Sequence, residues 1–195
     1  MSALLLVASL LADRWVFRRV AVPDVYGSDL GRLLRVAGYL PTWLLGAAAF
    51  MLHDRARRPA PVGGPWRRGA LLALAPVLGG LGAEGLKLLL RRERPGAHDG
   101  AWVFRPFLER PFDTGGLGLP SSHAMVAFAG ASMAAALLPR TAPVWLLWAA
   151  GCAATRVLTQ AHFTSDVVVA GIAGALVTQL LLLAVARRDA ATAAG

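Results

Sequence analysis

Apolar residues run along this chain in long unbroken blocks, with the polar residues gathered between them. Four blocks, 33–52, 70–90, 122–138 and 167–186, reach or approach the roughly 20 residues needed to cross a bilayer core of about 30 Å. A fifth, 143–158, is shorter. A sixth, 3–12, is too short alone and spans only by carrying Asp13 and Arg14 to an interface. Its length also suits the apolar part of a signal peptide, but it lacks the basic start such a segment needs. Backbone groups in lipid must be satisfied within their own segment, so blocks of this length predict helices. The expected fold class is all-α: an integral membrane bundle of about six transmembrane helices in a single domain, 1–195.

Two polar connections are long. One covers 53–69 and holds Arg55, Arg57, Arg58, Arg67 and Arg68; the other covers 91–119. The links at 140–142 and 159–165 are short. Alternation of spans then puts 53–69, Arg140 and the tail with Arg187 and Arg188 on one side of the membrane. It puts 13–32, 91–119 and 159–165 on the other. Basic residues favour the cytoplasmic side, which assigns the first set to it. The second set also carries many arginines, as a phosphate site there would require. Pro41 and Pro76 fall within apolar blocks and are expected to kink them. Ala124, Ala127, Ala129, Gly130, Ala131 and Ala134 crowd the fourth block, a composition that lets helix backbones approach in lipid.

Composition agrees with that reading: 56% hydrophobic residues and a mean hydropathy of +0.56. The net charge is +9, and of the 20 basic residues all are Arg except Lys87. The excess suits anionic lipid headgroups. No soluble basic face exists to bind nucleic acid, so the partner expected from composition is the bilayer. Oligomeric state is left open. Cys152 is the only cysteine, lies inside an apolar block, and reads as a small core hydrophobe.

Ionisable groups in or beside membrane helices are costly and call for a reason. Here they cluster at block ends on one side. Lys87 and Arg94 are seven residues apart, two helical turns, and Pro95 pushes Arg94 out of helix. They are either phosphate ligands or cations reaching the headgroups; Arg91 and Arg92 are read as the latter. Pro120-Ser121-Ser122-His123 has the form of a capped helix start, whose free N–H groups favour an anion. His162 and Asp166 are four apart and can share a helix face, where a carboxylate would hold one imidazole nitrogen protonated and leave the other to attack. Each feature alone is commonplace. Together they form a phosphate pocket with a nucleophile and an acid. No carboxylate cluster or Cys/His ligand set is present, so no metal or other cofactor is expected. Arg and Lys can stabilise the phosphate charge instead.

In order and internal spacing, Lys87-x6-Arg94-Pro95, Pro120-Ser121-Ser122-His123 and Thr155-Arg156-x5-His162-x3-Asp166 resemble the three motifs of the type-2 phosphatidic acid phosphatase superfamily, which also contains the vanadium-dependent haloperoxidases. Ser122 stands at the family's glycine and Thr155 at its serine. Ser122 keeps the N–H expected to face phosphate, though its side chain narrows the space. The resemblance implies that His162 attacks phosphorus and becomes phosphohistidine, that Asp166 orients it, and that His123 protonates the leaving oxygen. It also implies that Lys87, Arg94, Ser121, the Ser122 N–H and Arg156 hold the phosphate oxygens, with no metal.

The implied function is a membrane lipid phosphate or pyrophosphate phosphatase in a bacterial cell membrane, its site facing outward. The alternatives are a vanadate-dependent haloperoxidase or a non-catalytic lipid-binding protein. Arg156 and His162 lie about 120° off a common helical face, so the chain should bend between them. Glu84, one turn before Lys87, either pairs with it or serves as a second proton-transfer group. Trp102, Phe104 and Phe107, interleaved with Arg105 and Arg110, form either an interfacial lid or an ordinary amphipathic loop. His98 and Asp99 read as solvated loop residues.

Overall fold

The computed structural model describes residues 2–22, 24–56 and 63–194. Among them are seven α-helices and no strand beyond two isolated bridges. The helices are α1 (Ser2–Arg19), α2 (Asp29–Val36), α3 (Leu40–Ala56), α4 (Arg67–Leu90), α5 (Ser122–Leu137), α6 (Ala142–Leu158) and α7 (Thr164–Ala194). Every apolar block of the sequence is thus helical. The block at 33–52 is divided: α2 and α3 meet at a bend of 66°. Pro41 is the reason. It occupies the first turn of α3, where its missing N–H costs nothing, so the chain breaks before it instead of kinking within a helix. Pro76 sits inside an unbroken α4.

Among the described residues three spans are long and apolar enough to cross a membrane: Arg67–Leu90, Pro139–Leu158 and Thr164–Ala193. The α2–α3 pair makes a fourth if taken as one bent span. At 16 residues α5 covers only about 24 Å, short of a full crossing. α1 has 18 residues but carries Asp13, Arg14, Arg18 and Arg19.

The central element is α5, which packs against α4, α6 and α7. Its small residues allow this. A Cβ at Gly174 of α7 would come within 2.8 Å of the Met125 carbonyl, so the two backbones are close enough that only glycine fits. Ala127, Ala129 and Ala131 are fully buried at these contacts. α1 lies against α7.

The two ends of the bundle differ. At one, Arg68 pairs with Asp54 at 3.1 Å and Arg67 pairs with Asp189, joining α3, α4 and α7. Arg57 and Arg58, expected in the same connection, lie outside the described residues. At the other end converge the C-termini of α1, α4 and α6 and the N-termini of α3, α5 and α7. The site residues are there.

Candidate active site

Each site residue is placed by a helix end. Lys87 lies in the last turn of α4, and it is buried. Arg91 caps that helix in the left-handed conformation, φ 53°, which turns the chain sharply into the following loop. Arg94 follows in extended backbone ahead of Pro95. Ser121 caps α5: its Oγ accepts from the Ala124 N–H at 3.5 Å, and Ser122 and His123 form the first turn. Arg156 is in the last turn of α6. The chain then bends, with Gln160 at φ 56° and the His162 N–H donating to the Arg156 carbonyl at 3.2 Å. The bend required between Arg156 and His162 is therefore present.

His162 does not share a helix face with Asp166; it lies two residues before α7 begins. They meet because the α7 start folds back: Asp166 Oδ2 accepts from the Phe163 N–H at 2.7 Å. His162 Nδ1 is 2.9 Å from the Gly118 carbonyl and 3.6 Å from Asp166 Oδ2. A carbonyl can only accept, so Nδ1 carries the proton. Asp166 stands beside the ring, beyond hydrogen-bond length. Nε2 is left with its lone pair. Burial, the largest effect, lowers the His162 pKa below the usual 6.5, and Arg156 and Arg94 push the same way against Asp166. Near neutral pH the imidazole is thus uncharged and able to act as a nucleophile.

His123 and His162 share two charged neighbours, Arg94 and Arg156. The principal charges acting on His123 are Arg156, Arg35, His162 and Arg94, and those acting on His162 are Asp166, Arg156 and Arg94. His123 Nε2, Arg94 Nε and Arg156 Nε are buried with no hydrogen-bond partner among the described residues. Buried polar atoms are nearly always satisfied, and three orphans at one place mark a site built for a polar ligand. Their character is cationic and donor-rich, which fits an anion. Arg94 makes no ion pair among the described residues, and burial followed by Arg156 lowers its pKa. Lys87 Nζ donates to Glu84 Oε1 at 2.8 Å, and Ser122 Oγ donates to the same oxygen at 2.6 Å. Glu84 thus pairs with Lys87.

A model of the PAP2 superfamily matches residues 68–190. The chain belongs to the PAP2 superfamily. That family implies phosphatase action on phosphate esters. No curated protein and no solved structure matches the chain.

In this PAP2 member the serine at the glycine position gives its hydroxyl to Glu84, the carboxylate that also holds Lys87. Thr155 keeps its hydroxyl turned inward, donating to the Cys152 carbonyl at 2.7 Å.

Arg91 and Arg92 are not headgroup cations: both are 2% exposed. The left-handed cap at Arg91 directs them inward. Arg91 donates to the carbonyls of Arg105 (3.0 Å), Pro106 (2.9 Å) and Glu109 (2.5 Å), organising the 91–119 loop. Arg92 Nη2 donates to Ser165 Oγ at 2.6 Å and to Asp166 Oδ1 at 2.5 Å.

Arg105 is buried too, with Nε on Glu93 at 2.9 Å and its terminal nitrogens on the carbonyls of Asp113 and Gly115. Glu93 also pairs with His98, so His98 is not a free loop residue. The Arg105 hydrogen bond, outweighing burial, holds the Glu93 carboxyl below its usual pKa. Trp102, Phe104, Phe107 and Phe112 stay exposed on the outer face of this loop.

The sequence reading missed Asp13, Tyr26, Arg35 and Gly118. Asp13, from α1, accepts from the Ser165 N–H at 2.8 Å and the Ser165 hydroxyl at 2.5 Å. Its presence in an apolar block was the available signal. Tyr26 Oη accepts from Arg156 Nη1 at 2.9 Å. Nothing in the sequence singles out Tyr26 or Gly118.

Proposed function

We propose that this protein is a membrane phosphatase of lipid phosphates or lipid pyrophosphates, working through a phosphohistidine at His162 without a metal. The chain acts as one domain, 1–195. His162 Nε2 attacks phosphorus, Asp166 and the Gly118 carbonyl hold the ring, and His123 protonates the leaving oxygen and then activates water. Lys87, Arg94, Arg156, Ser121 and the Ser122 N–H hold the phosphate oxygens. These donors stabilise the charge that spreads over the equatorial oxygens in the transition state.

One observation carries this reading: the unpartnered nitrogens of His123, Arg94 and Arg156 adjoin a histidine whose other nitrogen is fixed as a donor. Two further features support a lipid substrate. The site lies at the end of helices long enough to cross a bilayer. An apolar groove of about 840 Å³ between α1, α5, α6 and α7 reaches Leu158 and Thr164, which flank the His162 turn. A hydrocarbon tail in that groove would deliver its headgroup to the histidines. The site-bearing end is assigned to the outer face of a bacterial cell membrane, opposite the basic connections.

The test is phosphate release from a panel of lipid phosphates and diphosphates in detergent with EDTA present. Turnover in EDTA that disappears in His162→Ala supports the reading. A requirement for added magnesium, or unchanged turnover in His162→Ala, refutes it.

A further inference from the structure

Beyond the three family motifs the site end holds another cation, Arg35, in the last turn of α2. It precedes residue 68, where the family match begins. Its guanidinium carbon lies 4.6 Å from the Tyr26 ring centre and 5.5 Å from that of Tyr39. Tyr39 in turn stacks against His123 at 5.6 Å between ring centres. Tyr26 receives Arg156 at its hydroxyl. Arg35 is therefore locked by two aromatic rings beside His123 and Arg156. Among the described residues its side chain makes no hydrogen bond or ion pair, and its buried Nε is unpartnered.

The charges around the site divide into two classes. Lys87 is paired with Glu84, and Arg92 with Asp166 and Asp13. Arg35, Arg94 and Arg156 have no carboxylate partner among the described residues. Arg35 thus adds a third carboxylate-free guanidinium to the two, Arg94 and Arg156, that the motifs supply. Through Tyr39 this guanidinium lies on the His123 side of the site. Arg35 belongs to the principal charges on His123, whereas those on His162 are Asp166, Arg156 and Arg94.

We infer that Arg35 binds the second phosphate of a diphosphate ester, making this site selective for lipid diphosphates over lipid monophosphates. The inference rests on the phosphatase reading above. The terminal phosphate sits on Lys87, Arg94 and Arg156, and the lipid-linked phosphate sits between His123 and Arg35. His162 Nε2 forms the N–P bond to the terminal phosphorus while the bond from that phosphorus to the bridging oxygen breaks. The electron pair stays on the bridging oxygen, and the lipid monophosphate departs. Water then attacks the phosphohistidine, releasing inorganic phosphate and restoring His162. A phosphate monoester leaves as an anion whose second pKa is about 6, so it calls for a fixed cation more than for a proton. Arg35, held against the rings of Tyr26 and Tyr39, supplies that cation without having to reorganise.

The test uses the full chain in detergent with a farnesyl diphosphate and farnesyl monophosphate pair, which share one tail. Wild type is expected to show the higher kcat/KM on the diphosphate. Arg35→Gln should lower kcat/KM on the diphosphate by about tenfold to hundredfold, the worth of a hydrogen bond to a charged group, and should change the monophosphate little. Retained monophosphate hydrolysis shows that the variant is folded. Should Arg35→Gln lower the thermal midpoint, Arg35→Lys decides: a loss selective for the diphosphate supports the assignment, and an equal loss or none overturns it. Equal losses on both substrates in a stable Arg35→Gln also overturn it, as does a wild type that prefers the monophosphate. A wild type releasing phosphate from neither substrate defeats the underlying phosphatase reading instead.

Discussion

Arg92 donates to Asp166 at 2.5 Å where both side chains are shut off from solvent. Asp13 completes the group, 3.7 Å from the other end of the same guanidinium. The carboxylate beside His162 is thus anchored by an arginine from the α4 exit and, through Ser165, by an aspartate from α1. Helices far apart in sequence thus fix the carboxylate beside His162.

Removing one member of a buried pair strands the other charge. Arg92→Ala leaves Asp13 and Asp166 without their cation and is expected to cost about 3–5 kcal/mol of stability. Thermal unfolding in detergent measures it. A cation merely reaching the headgroups would cost less than about 1 kcal/mol on removal, so a small shift would contradict the buried network.

On the proposed mechanism the lowered His162 pKa should set the acid limb of activity. Protonation of Nε2 removes the attacking lone pair, so kcat/KM should fall with acid only below pH 6.5, through the folded-state value. The stability linkage has the same direction. The unfolded chain takes up the proton first, so this group's contribution declines as pH drops below 6.5. A pH–rate profile with its acid limb above 6.5 would contradict the assignment.

Substituting Ser122→Gly restores the residue expected at that place in the motif. It keeps the backbone N–H at the α5 start and loses the hydroxyl bond to Glu84, with added backbone freedom there. The expected result is about 1–2 kcal/mol of lost stability with turnover retained within a few-fold. A collapse of turnover in a folded variant would show that the Ser122 hydroxyl acts in the chemistry.

Arg105 ties the 91–119 loop through Glu93, Asp113 and Gly115. Arg105→Ala should open the loop to proteases while the helices stay protected. Acid should do the same. Because the Glu93 pKa is held low by Arg105, that pair's contribution is present above the ordinary carboxylate value of 4.5 and is lost as pH falls below it. Limited proteolysis across pH checks both, and unchanged loop cleavage in either case would contradict the role given to Arg105.

Much of this was legible in the sequence because the strongest signals were local. Apolar block length reports helices directly, and the spacing of Lys87, Arg94, His123, Arg156, His162 and Asp166 needs only helix ends meeting on one side. What escaped depends on where a single backbone turn points. The left-handed cap at Arg91 converts two apparent interfacial cations into buried ones, and no residue type announces that conformation. Pro41 broke the chain between α2 and α3 because it stands at a helix start, where proline is welcome. Arg35, Tyr26 and Gly118 were invisible because their importance comes only from what lies across the bundle.

On the proposed mechanism His162 becomes phosphorylated during turnover. The most direct measurement is to mix the protein, in EDTA, with a lipid diphosphate labelled at its terminal phosphate, quench in alkali, and map the labelled peptide. The expected result is an acid-labile, alkali-stable label on the peptide containing His162, absent in His162→Asn. Full turnover with no such label, or a label that persists in His162→Asn, would contradict it.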